Sequence, residues 1–257
     1  MIKRKTLSVA LRHSGIRGGV AHLIARVFGE PRFLRPASSI DFRHFGLRPS
    51  VTLNELIHSL APQFSEPQID NALNKSIIGV DNLMGAASGE LGFPERWNSG
   101  RNLQYLLGAL IILLKPKVVV ETGSANGASA LAICFGLDHN KFGHLWSFDI
   151  EQETGQLVPD FLRSRVSFIQ VSGDEKDFRK NLLALDLDSA TSIFLHDSDH
   201  SYLGQESDYR VAKEIGFDYI LSDDIDTSLA FCDFAGRAGQ IFYDAPKFIG
   251  AMKVVSR

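Results

Sequence analysis

The sequence predicts an α/β fold, a doubly wound, mostly parallel sheet with helices on both faces and an antiparallel hairpin at its end. Two observations carry this prediction. Five short apolar runs, "VVVE" (118–121), "LWSFDI" (145–150), "VSFIQV" (166–171), "SIFLHD" (192–197) and "FDYILSD" (217–223), alternate with segments long enough for one helix each. Such alternation is the pattern of a parallel sheet covered on both sides. The chain then closes with "GQIFYDAP" and "GAMKVVS", two strand-like runs with a short connection, as an edge hairpin has. Together these runs give seven strands.

The elements ahead of the first strand divide the chain into three parts. Residues 1–50 form a basic arm and linker, 51–100 a helical cap that supplies a substrate wall, and 101–257 the sheet domain. The arm holds ten Lys or Arg against Glu30 and Asp41, a balance of +8, while the remainder of the chain stands at −11. Charge segregated in this way points first to a solvated helical cap or a homodimer arm, next to peripheral contact with an anionic membrane, substrate or nucleic acid, and last to an organellar targeting peptide. Gly15, Gly18 and Gly19 interrupt its apolar spacing, no run approaches a membrane span, and a secretory cleavage pattern is missing. For the chain as a whole, nucleic acid is not the expected partner.

"FLRPASSIDFRHFGLRPS" (33–50) is rich in turn formers and reads as linker. "VTLNELIHSLAPQF" follows as a helix, with Thr52 and Glu55 at capping-box spacing. "GELGFPERWNSGRN" (89–102) offers Phe93 and Trp97 as flat apolar surfaces for a ring, or as a docking surface for a helix. From 101, "RNLQYLLGALIILL" is an apolar helix ended by "KPK". With 257 residues, 44% hydrophobic and 22% charged, the chain is long enough for a substantial core. Cys134 and Cys232 form no C-x-x-C pair, so neither a zinc site nor a disulfide framework is indicated. The expected location is cytoplasmic.

In sheets of this kind ligands bind outside the carboxyl ends of the strands. Each of the five runs ends on, or within a few residues of, a carboxylate: Glu121, Asp149, Asp174 after Gly173, Asp197, and Asp223 with Asp224. "VVVETGSANGASALA" places Gly123 and Gly127 between the first strand and a helix. Ala125 fills the middle position of a dinucleotide G-x-G-x-x-G, and there is no G-K-[ST], so a phosphate-cradling loop is excluded. A tight turn remains, suited to a ligand with a ribose and a charged end but no phosphates.

"ETGSANGAS" resembles the E-x-G-x-x-x-G motif of class I S-adenosylmethionine-dependent methyltransferases, and "WSFDIE" resembles their second-strand end. With "VSGDEKDF" and "HDSDHSY" in order behind them, the resemblance covers roughly residues 98 to 257. It implies a Rossmann-like fold and S-adenosylmethionine as cofactor. Gly123 and Gly127 would lie against the methionine end, and Ser129 would bond its carboxylate. Asp149 would take the ribose hydroxyls, Gly173 and Asp174 would sit near the adenine, and Glu121 would orient the turn or bond the cofactor's amine.

"HDSDHSY" further resembles the metal-dependent O-methyltransferases of the catechol, caffeoyl-coenzyme A and macrolide-sugar types, where D-x-x-K or D-x-x-H follows the fourth strand. The resemblance puts Asp197 in the metal position and His200 in the base position. "SDDID" supplies Asp223 and Asp224 where those families carry an Asp-Asn or Glu-Asp pair. An all-oxygen set of this kind suits Mg²⁺ or a similar divalent cation. The implied reaction is O-methylation of a small-molecule or saccharide hydroxyl, with the ion easing deprotonation and His200 taking the proton. His196 and Tyr202 are expected to be structural, Asp199 to bond local backbone, and Asp226 to cap the following helix. Two rivals stay open: a methyltransferase-like domain that binds without catalysing, and a hydrolase, because "DDIDTS" resembles the D-x-D-x-T loop of aspartate-based phosphatases. In the second, Thr227 comes one residue early.

Overall fold

The computed structural model describes residues 42–87, 91–185, 187, 191–245 and 247–254. Most of the basic arm, residues 1–41, lies outside the described residues, and so does its expected role. A 3₁₀ turn at Phe42–Phe45 leads to β1 (Arg48–Ser50), α1 (Leu53–Leu60), α2 (Glu66–Ala86) and α3 (Arg101–Leu114). The sheet region follows as β2 (Val118–Thr122), α4 (Ala128–Asn140), β3 (His144–Asp149), β4 (Val166–Gln170), α5 (Glu175–Leu183), β5 (Ser192–His196), α6 (Tyr202–Ile215) and β6 (Tyr219–Ser222). The chain closes with α7 (Ala230–Ala235), β7 (Gly239–Asp244) and β8 (Lys247–Lys253).

The eight strands of the described residues form one sheet, in the order β1-β7-β8-β6-β5-β2-β3-β4. Among the described residues, only the pairs of β8, with β6 and with β7, are antiparallel. The expected seven strands become eight because Arg48–Ser50, at the end of the stretch read as linker, pairs parallel with β7. Three residues with Pro at their centre give no alternating signal; the unpaired edge of β7 recruits them.

Strand periodicity explains the two layers. Val119, Leu145, Ile193, Leu195, Leu221 and Ile249 turn to one face and pack on α1 to α4. Val118, Val120, Phe148, Phe194 and Ile220 turn to the other, against α5, α6 and α7. Thr52 caps α1 as its spacing predicts: Glu55 N donates to Thr52 Oγ1 at 3.1 Å, and Thr52 N to Glu55 Oε2 at 3.3 Å. The α3 helix stops at Lys115, which is left-handed with φ 49° and precedes Pro116. Cys134 and Cys232 are buried and free. Among the described residues, no helix is long and apolar enough to cross a membrane.

Candidate active site

The chain order reverses between β2 and β5: β3 and β4 build outward on one side, while β5 and β6 build on the other. A crevice opens at such a switch point, beyond the carboxyl ends of the two central strands. Thr122 and His196 are paired there in register, and both expected motifs follow them directly.

The glycine turn is built by backbone contacts. Gly123 has φ +87° and presses against the backbone of Asp197 and Ser198, while Gly127, at φ +86°, presses against Gly155. Neither place has room for a side chain. Asp149 reaches across from β3, its Oδ2 accepting from Ser124 N at 2.9 Å and Ala125 N at 3.1 Å, its Oδ1 from Glu151 N at 2.9 Å. A carboxylate oxygen accepts two donors, so Oδ1 retains capacity for another hydroxyl.

Glu121 is fully buried and accepts the hydroxyls of Ser129 and Ser147. Ser129, expected at a cofactor carboxylate, thus spends its proton on Glu121. Burial pushes the Glu121 carboxyl up to about 7, against the pull of those two hydroxyls. Asp174 caps α5 by accepting from Lys176 N at 2.8 Å, and Gly173 makes the turn before it with φ +79°. Asp149, and not Glu121, holds the backbone of the glycine turn.

The acidic loops after β5 and β6 meet, since Asp223 N donates to His196 O at 3.0 Å. Burial, then the charges of Asp223, Asp224 and Glu121, raise the Asp197 carboxyl well above the ordinary range. Asp223 is pushed up to about 7 by burial and by Asp224, while Lys247 pulls it back. Lys247 Nζ lies 2.8 Å from Asp224 Oδ2 and 3.8 Å from Asp223 Oδ2. His200 Nε2 lies 3.6 Å from the same Asp224 oxygen. Burial holds the His200 imidazole down to about 4, with Asp224 opposing, so it is neutral at physiological pH. Asp223 Oδ2, Asp224 Oδ1 and His200 Nδ1 are buried without a hydrogen-bond partner among the described residues.

A divalent ion does not fit this arrangement. Among the described residues no group of three or more His, Cys, Asp or Glu side chains has the geometry to hold a metal ion. The expectation that Asp197, Asp223 and Asp224 ligate one meets an obstacle that local sequence does not reveal, an ammonium delivered from β8.

Asp226 is corrected as well. It accepts from Phe248 N at 3.0 Å, and Leu229, not Asp226, stands at the N-cap of α7. Asp199 bonds Ser201 N at 3.0 Å, within its own loop. His196 is fully buried against Asp208.

Three contributors lie outside the sequence reading: Lys247, Asn126 and Asp208. Asn126, inside the glycine turn and fully buried, donates to Phe93 O at 3.0 Å and Asn98 Oδ1 at 2.9 Å, and accepts from Phe93 N at 3.0 Å. It thereby fixes the segment with Phe93 and Trp97, whose rings are 5.9 Å apart, over the turn. An amide in a tight turn was the available signal for Asn126, whereas Lys247 and Asp208 had none nearby.

A doubly wound sheet with a glycine turn and an acid-and-histidine loop at its switch point is the arrangement that the resemblance to S-adenosylmethionine-dependent methyltransferases implies. Residues 120–215, from within β2 to the end of α6, match the family model described as a methyltransferase domain. No curated protein matches the chain. Among solved structures, the chain is similar at 10% identity to an O-methyltransferase from Bacillus cereus in complex with S-adenosylhomocysteine, over 79% of this chain and 98% of that one, with a TM-score of 0.43. At 14% identity it is similar to an O-methyltransferase of tomaymycin synthesis from Streptomyces achromogenes, in complex with S-adenosylmethionine, over 72% and 91% with a TM-score of 0.44. A methyltransferase from Podospora anserina bound to S-adenosylhomocysteine matches at 14%, over 72% and 88%, with the same score.

Proposed function

We propose that the domain binds S-adenosylmethionine in the crevice between β2 and β5 and methylates a hydroxyl of a small molecule or sugar. The observation that carries this reading is the set of open acceptors at the switch point: Asp149 Oδ1 beside the glycine turn, and His200 Nδ1 in the loop after β5, unpartnered among the described residues and held neutral.

The residues present fit such a cofactor. Asp149 Oδ1 can take a ribose hydroxyl, and the first turn of α4 favours a carboxylate by about 0.3–1 kcal/mol. When bound, S-adenosylmethionine supplies a methyl group already activated on a sulfonium. The protein's work is then alignment and proton transfer, and alignment alone can supply about 7–11 kcal/mol of barrier reduction. His200 Nδ1 would accept the proton that the acceptor hydroxyl gives up on methylation. Asp224, 3.6 Å from Nε2, steadies the imidazolium that results. Residues 93–98, clamped by Asn126, form one wall of the acceptor space.

Calorimetry with S-adenosylhomocysteine, followed by transfer of labelled methyl to a panel of phenolic, sugar and aliphatic hydroxyls, tests the reading. Binding together with transfer is the expected result. Binding without transfer to any hydroxyl leaves a silent binding domain, and cleavage of an aryl phosphate without binding selects the phosphatase alternative.

A further inference from the structure

We propose that Lys247 is the resident cation of this site: its ammonium, in place of a divalent ion, draws Asp223 and Asp224 together and holds Asp224 beside His200. The proposal rests on the reading of the strand-end crevice as the methyl-transfer site.

The backbone delivers Lys247 there. The β6–β8 pairing ends at Ser222 opposite Gly250, so residues 247–249 of β8 overhang the end of β6 and run along the acidic loop. That loop is fastened to the overhang twice, by Ile225 N donating to Phe248 O at 3.2 Å and Phe248 N to Asp226 Oδ1 at 3.0 Å. Asp224 takes a left-handed φ of 49°, a region uncommon for residues with a side chain and one that Asp enters more readily than most. Asp226, instead of capping a helix, is thus one of the fasteners that set Lys247 against Asp224.

The charges agree with the geometry. A lysine ammonium is charged at neutral pH, and this one stands 2.8 Å from Asp224 Oδ2 and 3.8 Å from Asp223 Oδ2, so opposite charges meet. Hard divalent ions need carboxylate oxygens at about 2.0–2.6 Å. An ammonium 2.8 Å from one of the expected ligands and 3.8 Å from another stands inside that coordination space and repels the ion. It also offers three donors, of which Asp224 takes one, leaving two for Asp223 and for an incoming oxygen.

Mn²⁺ titration followed by electron paramagnetic resonance tests this without knowledge of the acceptor. The wild-type chain should leave Mn²⁺ free, and Lys247→Met should bind it about a hundredfold more tightly or better, with Mg²⁺ competing. Lys247→Arg, which retains a cation, should behave as wild type. Thermal melting and S-adenosylhomocysteine affinity show whether each variant is folded. Wild-type binding of Mn²⁺ that disappears in Asp224→Asn overturns the proposal, and so does a folded Lys247→Met that gains no binding. Failure of the wild type to bind S-adenosylhomocysteine counts against the methyl-transfer reading, whereas the Mn²⁺ result reports on Lys247 separately.

Discussion

A Cβ placed on Gly123 would stand 1.9 Å from the carbonyl oxygen of Asp197. The glycine turn after β2 and the acidic loop after β5 are therefore one packed unit. The first prediction follows: Gly123→Ala should cost about 1–3 kcal/mol or more, because the left-handed φ adds to the clash, and should abolish S-adenosylhomocysteine binding. Gly216→Ala, at φ +102° with nothing within 4 Å, should cost only the backbone strain of about 1–2 kcal/mol and leave binding intact. Urea melts and calorimetry on the two variants separate packing from strain.

Asp149→Ala removes the acceptor of two turn amides and the proposed ribose partner together. Charge-assisted bonds contribute about 1.5–3 kcal/mol each, so S-adenosylhomocysteine affinity should fall by about tenfold or more. An unchanged dissociation constant would remove the ribose assignment.

His200→Ala should lower kcat by about 10²–10⁴-fold at constant S-adenosylhomocysteine affinity. Since the free imidazole is held down to about 4, the wild-type rate should not decline as the pH falls from 7 to 6 on account of His200. A kcat profile that drops in that interval in the wild type, and flattens in His200→Ala, would contradict this assignment.

Glu121 gives a pH effect of opposite sign to ordinary acid denaturation. Its carboxyl titrates near 4.5 in the unfolded chain and is raised to about 7 when folded, chiefly by burial. The native state therefore binds more protons between those values, and this group's contribution to stability falls as pH rises from about 4.5 to about 7 and then levels. Glu121→Gln should flatten that part of the stability profile, as read from urea melts across the interval.

Behind the crevice, His196 Nδ1 lies 2.9 Å from Asp208 Oδ2, and Thr122 Oγ1 donates to the same oxygen at 3.2 Å. Asp208→Ala strands a buried ring N–H, at a cost of about 1–3 kcal/mol. Because this pair supports the floor of the crevice from behind, melting should register the loss while cofactor affinity stays within about tenfold of wild type.

Much of the architecture was legible because it rests on local signals. Val118 to Val120, Phe148 and Ile193 to Leu195 announce buried strands by apolar runs, and Thr52 with Glu55 announces a helix start by spacing. The strand ends Glu121, Asp149, Asp197, Asp223 and Asp224 were found because a doubly wound sheet brings its carboxyl ends to one edge. What each of those groups does was less legible. Asp174 and Asp226 satisfy backbone amides, and Ser129 satisfies Glu121, since a buried polar atom bonds whatever donor or acceptor lies nearest in space.

The sequence by itself determined the order of the seven strands from Val118 on, the glycine turn and the presence of six acids and a histidine at strand ends, because periodicity, turn chemistry and charge are written residue by residue. Only the tertiary structure decided that Lys247 meets Asp224, that Asn126 holds Phe93, and that Arg48–Ser50 joins the sheet. Those contacts link positions far apart in the chain, and their energies depend on distance and burial, which no short stretch of sequence contains.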